Sequence, residues 1–303
     1  HLIGGEMVMA KSRTFIRSRL SDNPDLAATD YAANLAALPK ELRDAYRDGK
    51  FDASLKDAPF QVIPTAWIRA AQARWMPAPA HNVPMCSMGV DASGGGEDPM
   101  IIAPRYDGWY AQLIKVEGKD IPLDRIGKHC AGIVISHRLH GAKVIVDMGG
   151  GYGGPVYEVL AENIGTEHVV AYKGAEASTR RTKDQKLGFY NKRSQACWQF
   201  REALDPSQEG GSPIALPDDP ELVADLSALT FEVTSKGIKV IPKEKVCELL
   251  GRSTDKGDAV VMAWYDGARA MTHAQIWTKE MGRAGRTPSV NYGPRRPNGM
   301  RRH

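Results

Sequence analysis

Between Met85 and Tyr172 the chain lays out its apolar segments in an order that few folds accept. MCSMGV reads as a short buried strand closing at Asp91, and PMIIAPR and WYAQLIKVEG follow as hairpin strands separated by the turn YDG. Only then does a helical pattern begin: from Pro122 to Leu139, the residues Ile126, Cys130, Ile133 and His137 recur at the helical interval, which packs His137 toward the sheet. AKVIVD is a second buried strand closing at Asp147, GPVYEVLAENI a helix with Val156, Leu160 and Ile164 in one stripe, and EHVVAY a further short strand. NKRSQACWQFREAL then reads as a helix with Cys197, Phe200 and Leu204 on one face, and FEVTSKGIKVI as a hairpin turning at Lys236-Gly237. KEKVCELL and DKGDAVVMAWYDG are helical.

Three strands before the first helix argue against a doubly wound sheet, which would begin strand, helix, strand. The order fits an RNase H-like α/β fold: a mixed sheet, an antiparallel meander joined to parallel strands, flanked by helices. Residues 81–270 make up that domain. Residues 1–80, with the helical stretches TDYAANLAAL and PKELRDAYRDG, read as a connecting arm without a core of its own, and PAPAHNVP as a linker. Residues 271–303 form a basic tail expected to be flexible. It holds seven Lys or Arg against the single acid Glu280, while the whole chain carries only +4. Such a tail on a near-neutral body suggests an anionic partner, DNA first. No apolar run is long enough for a membrane span and no signal peptide is visible, so the expected place of action is the cytosol in which the chain is made. Cys86, Cys130, Cys197 and Cys247 are widely spaced without a CxxC, which predicts reduced, mostly buried thiols.

Three aspartates carry the chemistry. Asp91 closes the first strand, Asp147 the fourth, and Asp258 lies in the first turn of a helix that Ser253 or Thr254 can cap. Singly, each has the ordinary reading of a turn former or a residue favouring the helix dipole. Together they say more, because the fold order sets the first and fourth strands side by side. Two close carboxylates, joined by a third, repel unless a cation sits among them or a proton is shared. Hard oxygen ligands suit Mg²⁺ or Mn²⁺, and two such ions are able to cut a phosphodiester. Glycines after Asp91 and Asp147 leave room for a nucleic-acid backbone. The stretch holding Lys173, Arg180, Arg181, Lys183, Lys186, Lys192 and Arg193 reads as a flexible basic loop that grips duplex phosphates beside that site.

FIRSRLSDNPDL, ALPKELRDAYRDGKFDA, PFQVIPTAWIRAAQARW, MGVDASGGGEDPMIIAPRYDGWY, VIVDMGGGYGGPVYEVL, GFYNKRSQACWQFREAL and GRSTDKGDAVVMAW occur in order and suitably spaced. This set resembles the large subunit of the tailed-phage terminases. The resemblance implies a two-metal-ion endonuclease that cuts concatemeric double-stranded phage DNA in the host cytoplasm, with the terminase small subunit and the portal protein as partners. It matches metal-binding acids to Asp91, Asp147 and Asp258, with Asp98 and Asp255 as further acids near the metals; Asp255 has the alternative of capping the last helix. The family's packaging ATPase has a phosphate-binding loop, and no GxxxxGK[ST] occurs here, so the chain reads as a nuclease-domain piece without ATPase activity. Two rivals stand beside it. VIVDMGGGYGG also resembles the turn of an S-adenosylmethionine-dependent methyltransferase, although the strand after it ends at Tyr172 and Lys173 rather than at a ribose-binding acid. A non-catalytic DNA-binding packaging protein would use the acids structurally.

Overall fold

A computed structural model describes residues 57–79 and 83–267, together with a short antiparallel pairing of Leu2–Ile3 with Glu6–Met7. The helical stretches expected before residue 57 and the basic tail lie outside the described residues.

The central sheet is built as the segment order demands. Strand β1 (Ser87–Asp91) pairs antiparallel with β2 (Met100–Tyr106) on one side and parallel with β5 (Lys143–Asp147) on the other. The far edge of β2 takes two short antiparallel strands, β3 (Trp109–Tyr110) and β4 (Ile114–Val116), and β5 takes β6 (Val169–Tyr172) in parallel. The expected third meander strand is therefore broken, with Ala111–Leu113 bridging its two halves. The strand order β3-β2-β1-β5-β6 makes this a mixed sheet of RNase H-like type. The glycine-rich turn follows β5, which lies between β1 of the meander and the edge strand β6, an order that differs from the strand-helix-strand start of a doubly wound sheet.

Side chains alternate across the sheet into two cores, which is why β1 and β5 read as continuous apolar runs. Met88, Val90, Val144 and Val146 point to one face, covered by α2 (Ile126–His137) through Cys130 and Val134 and by α3 (Gly153–Ile164) through Val156 and Leu160. The expected stripe on α2 is rotated: Gly127, Cys130, Ala131 and Val134 face inward, Ile126 and Ile133 are partly buried, and His137 is exposed, its Nδ1 3.0 Å from the Ile133 carbonyl oxygen. The rotation puts the small residues against the strands and leaves a polar ring at the water boundary.

Ile101, Ala103 and Ile145 point to the opposite face. Here lie α1 (Thr65–Ala73), α4 (Lys192–Leu204), α5 (Pro220–Ser227) and α7 (Asp255–Ala263). Helix α1 brings Ile68 and Ala71 into this core beside Val62 and Ile63, all fully buried, so the boundary drawn at residue 80 divides the chain but not the core. Helix α5 is an element the apolar pattern did not disclose, although its start is clear: Asp219 accepts from the Glu221 and Leu222 N–H groups and Pro220 takes the first helical position. A separate hairpin, β7 (Phe231–Thr234) and β8 (Gly237–Val240), turns at Ser235-Lys236, one residue earlier than expected, because Gly237 already pairs with Thr234. Helix α6 (Lys243–Leu250) follows it.

The seat of α7 positions the site. It lies directly on β1, and Gly89 permits this: a Cβ there would stand 2.0 Å from the Ala259 carbonyl oxygen. At its C-terminal end the fully buried Arg105 of β2 donates to the carbonyls of Ala263 and Gly267 and stacks on Trp264 at 4.2 Å. A guanidinium at a helix C-terminus satisfies orphan carbonyls and matches the dipole.

Candidate active site

The β1–β5 ladder runs to Val90 opposite Val146, so Asp91 and Asp147 are the next residues of two adjacent parallel strands. Helix α7 crosses the same ends and contributes Asp255 and Asp258. All four line one open cleft of about 1090 Å³. Asp98 lines it as well, from the loop after β1, where its backbone carbonyl accepts from the Ser93 hydroxyl.

The centre of this group is a cation the sequence reading did not single out. Lys243, the first residue of α6, sets its Nζ 3.1 Å from Asp91 Oδ2, 3.3 Å from Asp255 Oδ1 and 3.0 Å from Asp258 Oδ2. Among the described residues no group of three or more acids, histidines or cysteines stands ready to hold a metal ion as arranged. The ammonium takes the central position and the carboxylates turn to it. A Lys in the first helical turn opposes the helix dipole, a local rule broken where a site needs it.

Burial pushes the Asp91 carboxyl well above the usual carboxylate range; Lys243 opposes the shift, and the charges of Asp258, Asp255 and Asp147 add to it. Burial raises Asp147 too, against the Gly149 N–H that donates to its Oδ1 at 2.9 Å. For Asp258 burial is outweighed by Lys243 and Arg193, which hold it below its ordinary value. Thr254 does not cap α7 with its side chain; its Oγ1 donates instead to Asp258 Oδ2 at 2.8 Å. The expected Ser253 cap is absent as well, since its hydroxyl is bonded to Asp255.

The seven cations of the 173–193 stretch are dispersed rather than gathered. Only Arg193 reaches the cleft. It sits on the first turn of α4, donates from Nη1 to the Ile241 carbonyl, and places Nη2 3.9 Å from Asp258 Oδ1. Its Nε and Nη2 are buried with no hydrogen-bond partner among the described residues. Arg180 and Lys192 line a separate hollow with Gln195 and Tyr265, and Arg181 and Lys186 line a groove beside Lys236 of the hairpin. Lys173 and Lys192 pair with Glu176, and Lys186 with Asp184. The stretch is bound to itself: Thr182 is buried and bonded to Leu187 and Asp184, and Lys183 donates its N–H to Glu202. The glycines after the acids divide: Gly96, Gly150, Gly151 and Gly154 have open space where a Cβ would stand, whereas two others are packed closely within the protein. Gly94 lies under the Tyr152 ring, and Gly153 backs onto the Asp147 carbonyl, where a Cβ would overlap it.

The four cysteines are free; Cys130 and Cys197 are buried, Cys86 and Cys247 partly so. No helix among the described residues is long and apolar enough to cross a membrane.

Fold and cleft together define an RNase H-like α/β domain with an acidic site at the carboxyl ends of β1 and β5. Among solved structures, the chain is similar to the nuclease domain of the large terminase subunit gp2 of bacterial virus Sf6, at 17% identity and a TM-score of 0.51 over 67% of this chain and 97% of that one. It is similar to the same degree to the K428A mutant of that domain with manganese and beta-thujaplicinol (17% identity, TM-score 0.51, 67% and 97% covered). At this identity the likeness is one of fold. No family model and no curated protein matches the chain.

Proposed function

We propose that this chain is a metal-dependent endonuclease of the terminase type, which cuts concatemeric double-stranded phage DNA during genome packaging in the host cytoplasm. One observation carries the reading: carboxylates from the end of β1 and from α7 close on a single cation, and Asp147 from the end of the neighbouring parallel strand lines the same open cleft. The donors fit a hard divalent ion. They are carboxylate oxygens, they already hold a positive charge in Lys243 Nζ, and burial drives Asp91 and Asp147 toward protonation, a cost that cation binding removes. Asp91, Asp147 and Asp258 would hold Mg²⁺ or Mn²⁺, two ions in the reading preferred here, with Asp98 and Asp255 at the margin. Bound there, such ions supply Lewis acidity and a water of lowered pKa.

The remaining residues have roles of their own. Lys243 compensates the acids when no other cation is present. Arg193 offers buried guanidinium donors toward the cleft, the geometry that suits a phosphate oxygen. Lys173, Arg180, Arg181, Lys183, Lys186 and Lys192 lie outside the cleft, where they would meet flanking phosphates. The terminase small subunit and the portal protein belong to this reading as partners, and the absence of a phosphate-binding loop from the sequence accompanies it with no ATP hydrolysis expected.

Incubation with supercoiled plasmid tests the proposal. Nicking and linearisation are expected with Mn²⁺ or Mg²⁺ and none with EDTA. Asp91→Asn and Asp147→Asn are each expected to lower the rate by at least about 100-fold while the circular dichroism spectrum is kept, since a neutral amide is a poor ligand for these ions. Wild-type cutting by either variant would remove the acids from the mechanism. DNA binding with no cutting under any metal would favour the non-catalytic packaging role.

A further inference from the structure

Helix α7 carries Asp258 into the cleft, yet its first turn has no side-chain cap of its own. The orphan N–H of Gly257 donates instead to Asp225 Oδ2, 2.9 Å away on α5. Asp225 has a side chain with no exposed surface, and the two helices meet at this point: a Cβ on Gly257 would stand 2.7 Å from Asp225 Cβ. A carboxylate facing a helix N-terminus satisfies an unpaired donor and matches the dipole, so Asp225 performs from a neighbouring helix the task of an N-cap. Arg252 completes the arrangement. Its Nη1 lies 2.6 Å from Asp225 Oδ1 and donates to the Ser253 carbonyl, and its Nη2 donates to the Glu221 carbonyl at 3.1 Å. The turn 251–254 is thereby tied to α5 at both ends of one guanidinium. From that turn Ser253 bonds Asp255 and Thr254 bonds Asp258.

We propose that Asp225 and Arg252 are a positioning pair for the metal-binding acids: by fixing the start of α7 against α5 they set Asp258 and Asp255 toward Asp91, although Asp225 itself lies outside the cleft. The inference rests on the metal-dependent reading given above. Partners one shell out from metal ligands typically change metal affinity by about 10–100-fold when removed. The opposite end of α7 is held separately by Arg105, so loss of Asp225 frees the end that bears the acids and leaves the other in place.

The test measures plasmid cleavage against Mn²⁺ concentration, and Mn²⁺ binding by titration calorimetry, for the whole chain and its variants. Asp225→Ala is expected to raise the half-saturating Mn²⁺ concentration by about tenfold, with most of the lost rate recovered at high Mn²⁺. Asp225→Asn keeps an oxygen for Gly257 and is expected to shift it only about two- to threefold, a partial rescue. Val134→Ala, buried on the other face of the sheet, lowers stability and is expected to leave the half-saturation unchanged. If Asp225→Ala does not fold, Arg252→Gln takes its place with an expected shift of about fivefold. A folded Asp225→Ala, or in its place a folded Arg252→Gln, with wild-type Mn²⁺ half-saturation and affinity overturns the proposal and makes the pair structural only. Failure of the wild type to cut under any metal sinks the nuclease reading instead, while calorimetry still reports on the pair.

Discussion

The two faces of the central sheet are both largely apolar where the helices meet them, yet they do different work. Helices α2 and α3 cover one face, follow their strands directly in the chain, and pack through Cys130, Val134, Val156 and Leu160 without lending a side chain to the acid cluster. The other face is covered by α1, α4, α5 and α7, drawn from before and after the sheet, and α4 and α7 supply Arg193, Asp255 and Asp258. The difference teaches that stability and chemistry are segregated. The first face can be altered at the cost of folding free energy alone, whereas on the second a change in packing moves charges.

The sharpest way to break that distinction pairs a variant from each face. Arg193→Met is expected to lower cleavage by about 100-fold, the size associated with removing one preorganised donor from a phosphate or oxyanion site. It is also expected to lower stability by about 1–3 kcal/mol, because Met loses the Nη1 bond to the Ile241 carbonyl and the charge that helps hold buried Asp258 ionised, offset in part by removal of two buried nitrogens without hydrogen-bond partners. Leu160→Ala is the reverse case. A fully buried leucine replaced by alanine costs about 2–5 kcal/mol, while cleavage per folded molecule and its metal dependence should be unchanged well below the melting temperature. Denaturant unfolding and initial cleavage rates on both proteins decide it. A shift in metal dependence in Leu160→Ala would show that the silent face is coupled to the site.

A smaller effect sharpens the comparison within the second face. Burial pushes Asp225 up to about 6, against the Gly257 N–H and Arg252, which favour its charged form. A carboxyl whose folded pKa is raised contributes stability below its unfolded pKa and loses it as pH rises through the folded value. Between pH 5 and pH 8 the wild type should therefore lose stability relative to Asp225→Asn, which does not titrate, by roughly 1.5 kcal/mol. The shared titration of the other acids cancels in that difference. A stability gap that does not change with pH, measured in EDTA, would mean that Arg252 holds Asp225 ionised throughout.

These residues also mark how far the sequence was legible. Asp91, Asp147 and Asp258 could be named because strand ends and a helix start are written in local apolar patterns, and the strand order sets two of them side by side. Lys243 was missed although a Lys in the first turn of a helix opposes the dipole and is a usable signal. Asp225 and Arg252 gave none, since a cap supplied by another helix depends on the approach of α5 to α7, which no period in the chain records. His137 was misplaced for the same reason: spacing at i, i+4 and i+7 gives a stripe, but which neighbouring row faces the sheet is decided by the small residues Gly127 and Ala131. The arm before residue 80 looked coreless because Val62, Ile63 and Ile68 bury themselves against segments more than a hundred residues away.

The smallest expected effect concerns the exposed cations on the rim of the chemical face. Several are already occupied: Lys173 and Lys192 share Glu176, and Lys186 has Asp184. A phosphate must compete with those carboxylates, and exposed pairs of this kind are worth at most about 1 kcal/mol each, so the competition is easily won at low salt. Arg180, Arg181 and Lys183 make no ion pair recorded among the described residues, and Arg181 donates only to the carbonyls of Gln185 and Lys186. If they meet DNA, each phosphate neutralised releases counterions and contributes about 0.9 to the slope of log affinity against log salt. Replacing all three with alanine should then lower that slope by up to about 2.7 and weaken binding several-fold at moderate salt, with the metal half-saturation unchanged. Arg193→Met should do the opposite, sparing the slope within about one phosphate and taking the rate. Fluorescence anisotropy titrations of a short duplex at several salt concentrations separate the two. An unchanged slope in the triple variant would leave Arg193 and the cleft to do the gripping, and would confine recognition to the same face that carries the acids.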